Sequence, residues 1–212
     1  NKVWVGLSKE TAHQLGTPIS SLMAWMDLLE SSGVDSSLLS DMNKDVNRLS
    51  VIAERFSKIG SKPEMELIYV NEVLENATEY MRRRVSDKVL ITTHLPSDAE
   101  GAMVCLSLFE WVIENLCKNA VDAMNGEGRI DVYMTSEKQQ IYIDIKDTGK
   151  GIARKNFKTV FHPGYTTKKR GWGLGLTLAK RIIEDYHAGR IYVKDSEVGK
   201  GTTFRIELTR VV

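Results

Sequence analysis

The sequence predicts an α+β chain in two parts: a helical hairpin over residues 1–60, then an α/β sandwich over residues 65–212. Three observations predict this. Apolar residues before Gly60 recur at coiled-coil spacing; Gly60-Ser61-Lys62-Pro63-Glu64 interrupts the pattern; and beyond it short β-branched runs alternate with helical stretches.

Leu15, Ile19, Leu22, Met26 and Leu29 fall at spacings of four and three, an apolar stripe on a first helix. Gly33-Val34-Asp35-Ser36 breaks it, and Met42, Val46, Leu49, Ile52, Phe56 and Ile59 form one face of a second helix. Two helices alone bury both stripes poorly. The same hairpin from a second chain would complete a four-helix bundle, so a homodimer is expected, with an intramolecular packing partner as the alternative. Pro63 bars continuation of the second helix and marks a linker.

Beyond the linker, the pattern predicts a strand at Glu66–Tyr69 and a helix from about Asn71 to Arg84. Strands follow near Val89–Thr93 and Ala102–Cys105, then a helix from about Leu108 to Met124. Arg129–Ser136 and Gln140–Asp147 alternate apolar and polar residues across a short turn, which reads as a hairpin. A helix near Thr177–Tyr186 and strands at Arg190–Asp195 and Thr203–Leu208 complete one mixed sheet with helices on one face.

Net charge is +1 with 27% charged residues, so no strong field favours nucleic acid or anionic lipid. At 42% hydrophobic the chain can build a core. Its two cysteines, Cys105 and Cys117, suit packing in a reducing compartment. No apolar run approaches a membrane span and no signal peptide is visible, so no membrane contact is expected within this stretch. The chain starts abruptly in a helix, which is compatible with an excised fragment and an upstream sensor or membrane region.

Four motifs occur in order: Glu114-Asn115-Leu116-Cys117-Lys118-Asn119-Ala120, Asp147-Thr148-Gly149-Lys150-Gly151, Gly171-Trp172-Gly173-Leu174-Gly175-Leu176 and Gly199-Lys200-Gly201-Thr202. Asp147 closes an alternating strand and enters a Gly-rich turn, which puts its carboxylate at a rim. Gly149 and Gly151 are expected to let backbone approach a ligand closely. Asn119 offers a neutral hard oxygen of the kind Mg²⁺ accepts. Gly171, Gly173 and Gly175 open a helix whose amides favour anions, preceded by the cations Lys168, Lys169 and Arg170 in a segment read as a lid. Neither a Walker loop nor a dinucleotide fingerprint fits that spacing.

With His13-Gln14-Leu15-Gly16-Thr17-Pro18 upstream, this ordered set resembles the catalytic core of a sensor histidine kinase of a two-component system, across nearly the whole chain. The resemblance implies a dimerisation and phosphoacceptor hairpin followed by a GHKL, or Bergerat-type, ATP-binding sandwich. It implies ATP and Mg²⁺, cytoplasmic placement, and transfer of phosphate from a histidine to an aspartate of a response-regulator receiver. In such cores the residue matching Asp147 accepts the adenine amino group, a bond worth on the order of 1.5–3 kcal/mol. The resemblance makes Asn119 the magnesium ligand. It places Asn115, Lys118, Gly149, Gly151, Ile152, Thr167, Lys168, Gly171, Gly173, Leu174, Gly175, Leu176 and Thr202 around the nucleotide. Many members carry a cation where this chain has Asp122, so Asp122 is a poor phosphate contact.

Asn115 separates enzyme classes. Related gyrase-like ATPases place a Glu there to activate water, and an amide cannot act as a general base. The pocket is therefore expected to hold ATP without fast hydrolysis, Glu114 pointing about 100° away on the helix wheel.

The resemblance makes His13 the phosphate acceptor. Pro18 is expected to bend the helix just beyond it. Gln14 stands where the family has an acid that orients the imidazole, and Glu10, on the same helix, is a candidate substitute. Thr17 holds the position associated with dephosphorylating a partner. Two rival readings remain: a gyrase- or chaperone-like ATPase, and a non-catalytic nucleotide-binding dimeric scaffold.

Overall fold

The computed structural model describes residues 2–166 and 175–211. The chain divides into two compact units, Asn1–Pro63 and Glu64–Val212.

The first unit is a hairpin of α1 (Lys2–Ser31) and α2 (Ser36–Gly60). The turn begins with Gly33 at φ 79°, and Asp35 caps α2 by accepting from the Ser37 N–H at 2.9 Å. Ile19, Met26 and Val46 form its core, with Leu15 and Ala53 packed alongside. Leu39 and Ile59 are also buried. The rest of the expected stripes is not: Leu22, Met42, Leu49 and Ile52 remain 39–42% exposed. Two helices present only one seam to each other, so half of each apolar face has no partner within the hairpin. Pro18 does not end α1, which continues through it to Ser31.

The second unit contains β1 (Glu66–Tyr69), α3 (Val70–Arg82), β2 (Val89–His94), β3 (Gly101–Val104), α4 (Leu106–Ala123), β4 (Gly128–Glu137) and β5 (Gln140–Asp147). Two short 3₁₀ turns follow, then α5 (Gly175–Arg181) running into a π-helical turn at Ile182–Tyr186, then β6 (Arg190–Glu197) and β7 (Gly201–Thr209). Five strands make the main sheet in the order β2-β4-β5-β7-β6, with β2–β4 parallel and the other pairs antiparallel.

The strands expected to share one sheet in fact form two, because β1 and β3 pair only with each other. Both are four residues long and lead almost at once into α3 and α4, which leaves no connecting chain to carry them to the main sheet. Asn71 ties this region together: its side chain donates to the carbonyls of Pro96 and Asp98 and accepts the Glu100 N–H.

Alternation along β4, β5 and β7 sorts side chains by face. Ile130, Val132, Ile141, Ile143, Ile145, Ile206 and Leu208 are at most 1% exposed, on the side of the sheet packed by helices. On the other side, Asp144 accepts two hydrogen bonds from Arg205, at 2.7 and 2.8 Å, and one from Lys194. The architecture is the expected helical hairpin followed by an α/β sandwich. Among the described residues, no helix is long and apolar enough to cross a membrane.

Candidate nucleotide site and phosphoacceptor helix

Each end of the β5 turn is fixed by packing. Gly149 lies against the C-terminal end of α4, where a Cβ would sit 2.7 Å from the Ala123 carbonyl. The next residue, Lys150, donates its N–H to that same carbonyl. Gly151 adopts φ +75°, and a side chain there would strike the Glu197 carbonyl. These two glycines were expected to let backbone approach a ligand closely. In the structure they also let the loop close against its own neighbours; Gly151 lines the cavity and Gly149 does not.

That packing leaves a cavity of about 850 Å³ between α4, the β5 loop, the start of α5 and the β6–β7 connection. Asn115, Lys118, Asn119, Asp147, Gly151, Ile152, Gly175, Leu176 and Thr202 line it together, although they come from four separate motifs in the sequence. Thr167, Lys168, Gly171, Gly173 and Leu174, with the cations Lys169 and Arg170, lie outside the described residues. Spacing alone did not mark Ala153, Asn156, Val160, Tyr165, Val198 and Phe204, which also line the cavity.

Asp147 is 3% exposed, more enclosed than a rim position. Burial pushes its carboxyl pKa above the ordinary value; hydrogen bonds from the Gly149 and Thr202 N–H groups offset this only in part. Both bonds converge on Oδ1, so among the described residues Oδ2 has no donor and is the oxygen left for a ligand.

Thr202 is held by Ser196, a residue the sequence did not single out. Ser196 Oγ receives the Ile152 N–H at 2.7 Å and lies 2.9 Å from the Gly201 carbonyl, to which it donates its proton. The Thr202 hydroxyl, 2.8 Å away, must then be the donor in the Ser196–Thr202 pair. Its lone pairs stay available to a ligand or water.

On α4, Asn115 Nδ2 is buried and has no hydrogen-bond partner among the described residues, a donor group in the cavity wall suited to an anion's oxygen. Glu114 is 8% exposed and does not line the cavity. Asn119 and Asp122 both reach the cavity from one face of α4 and supply oxygen donors, a set that fits Mg²⁺.

In the hairpin unit His13 is exposed on α1. With Thr17 it lines a groove shared with Lys9, Ser20, Ala53 and Glu54. Gln14 donates its Nε2 to Glu10 Oε1 at 2.6 Å, so Glu10, considered as a partner for the imidazole, is engaged by Gln14 instead.

A mixed sheet with helices on one face holds a cavity of about 850 Å³ beside a buried strand-end carboxylate. Residues 106–211 match the family described as histidine kinase-, DNA gyrase B-, and HSP90-like ATPase. The chain belongs to that family.

Curated relatives of the chain include kinases. Sporulation kinase E of Bacillus subtilis (strain 168) is 30% identical over 209 residues, 95% of this chain and 28% of that protein. Sensor histidine kinase ZraS of Escherichia coli (strain K12) is 26% identical over 209 residues, covering 95% of this chain and 44% of the relative. The chain thus spans less than half the length of these relatives.

Among solved structures, full-length ShkA in complex with AMPPNP superposes with a TM-score of 0.74 at 18% identity, over 98% of this chain and 46% of that one. Histidine kinase ThkA in complex with the response regulator TrrA gives 0.63 at 19%, over 97% and 61%. These likenesses show a shared fold. With the matched family, the sequence relatives support a histidine kinase catalytic, ATP-binding core of a two-component system.

Proposed function

We propose that the protein is an ATP-dependent histidine kinase that phosphorylates its own His13 and passes the phosphoryl group to an aspartate of a response-regulator receiver domain. The observation that carries this reading is Asp147: a buried carboxylate with Oδ1 held by two backbone donors and Oδ2 left to accept the adenine amino group. Asn115 supports kinase over ATPase chemistry, because an amide at that position cannot deprotonate water.

In the transfer, a ring nitrogen of neutral His13 attacks the γ-phosphorus, the N–P bond forms as the bond to the β–γ bridging oxygen breaks, and ADP departs with the electron pair. Catalysis is then mainly positioning and charge neutralisation. Asn119 and Asp122 would hold Mg²⁺, which supplies neutralisation of phosphate charge. The exposed apolar residues Leu22, Met42, Leu49 and Ile52 support a homodimeric four-helix bundle. Thr17 would orient water for dephosphorylating the receiver. The receiver partner is supported by the ThkA–TrrA complex, whose kinase shares this fold. The core works in the cytoplasm.

Incubation with γ-labelled ATP and Mg²⁺ tests this reading. Acid-labile, base-stable label that disappears in His13→Ala is the expected result. Rapid release of free phosphate with no labelled protein would identify an ATPase, and nucleotide binding without either would identify a scaffold.

A further inference from the structure

Gln14 brings no charge to the position beside His13, yet its side chain is not left to wander. Its amide contacts the Glu10 carboxylate at 2.6 Å, one helical turn earlier. An ionised carboxylate only accepts hydrogen bonds, so the amide nitrogen must face Glu10. The amide orientation follows from that chemistry, and the carbonyl Oε1 is left as the acceptor end of Gln14. At about 100° per residue, Glu10, His13, Gln14 and Thr17 fall within a sector of about 100° on α1. The pair and the acceptor histidine therefore share one exposed face.

We infer that Glu10 is a positioning residue for His13, acting through Gln14. The hydrogen bond to a carboxylate fixes the amide and polarises it, which concentrates negative charge on Oε1. That oxygen then accepts the N–H of the ring nitrogen that does not attack, and it stabilises the positive charge that develops on the imidazole as the N–P bond forms. Glu10 supplies the acid that position 14 lacks, at the cost of one intervening amide. The inference rests on the reading of His13 as phosphate acceptor.

Four proteins test it: wild type, Glu10→Gln, Gln14→Glu and the double variant. Initial rates of phosphohistidine formation are measured over a range of ATP concentrations, with helicity followed by circular dichroism. Glu10→Gln keeps helix propensity and hydrogen-bonding shape but removes the charge. It should lower kcat about fivefold, the difference between a charge-assisted and a neutral hydrogen bond, and leave KM for ATP unchanged. Gln14→Glu should raise kcat. In that background Glu10→Gln should have no further effect, because the acid beside His13 makes Glu10 redundant.

A kcat for Glu10→Gln equal to wild type would overturn the inference. So would the same proportional loss in both backgrounds, which would mean that Glu10 acts independently of Gln14. Wild-type protein that binds ATP and forms no phosphohistidine would remove the His13 reading itself, and this proposal with it.

Discussion

The N–H of Thr202 donates to Asp147 Oδ1 at 3.2 Å although the two residues are 55 positions apart. That bond joins the end of β5 to the start of β7 and aims the Asp147 carboxylate at the cavity. Its partner bond, from the Gly149 N–H at 2.8 Å, is local. One oxygen is thus committed to structure and the other to a ligand.

Asp147→Asn separates these roles. The carboxyl pKa is raised by burial. A raised folded-state value means stability that is full below the unfolded pKa and lost as pH climbs through the folded one, so at neutral pH the charged group costs the ligand-free fold. Asparagine keeps an oxygen for both N–H groups and loses the charge. Thermal unfolding at neutral pH should show a higher Tm for the variant. Nucleotide affinity, measured by calorimetry, should fall about 10–100-fold, because the second acceptor becomes a donor facing the adenine amino group.

Gly151→Ala should destabilise the sandwich by about 2 kcal/mol or more, through a left-handed φ and a collision with the Glu197 carbonyl. The same change should weaken nucleotide binding, since the turn positions Ile152 and the Asp147 end of β5. Urea unfolding with and without an ATP analogue reads both effects.

Stability should fall on mild acidification because of His187. Its Nε2 accepts the Cys105 N–H at 3.1 Å, so the proton sits on Nδ1 and is donated to the Ile182 carbonyl at 2.8 Å. Burial pushes its pKa below the ordinary 6.5, with the Ile182 bond opposing. The unfolded chain therefore takes up a proton that the folded chain resists, and stability present above the unfolded value declines as pH drops below about 6.5. Urea midpoints between pH 7.5 and 5 should show this decline, and His187→Gln should flatten it.

Arg205→Met should cost about 2–3 kcal/mol in urea unfolding. Burial would raise the Asp144 pKa, but hydrogen bonds from Arg205 and Lys194 outweigh it and hold the carboxyl below its ordinary range. Removing Arg205 leaves a mostly buried carboxylate, its side chain 13% exposed, with Lys194 alone. Wild-type Asp144 contributes stability above the unfolded pKa and loses it as pH falls through the lower folded one. The acid-induced transition should therefore begin at higher pH in the variant.

The sequence by itself determined the hairpin and the order of sandwich elements, because apolar period reports helix or strand directly. It also marked Asp147, Asn119 and Thr202, whose residue types sit in recognisable strings. Only the tertiary structure decided that β1 and β3 form their own sheet, that Gly149 and Gly151 pack against neighbouring backbone, and that Ser196 sets the direction of the Thr202 hydroxyl. Each depends on which atoms meet across the fold, and a pattern of residue types along the chain carries no record of such meetings.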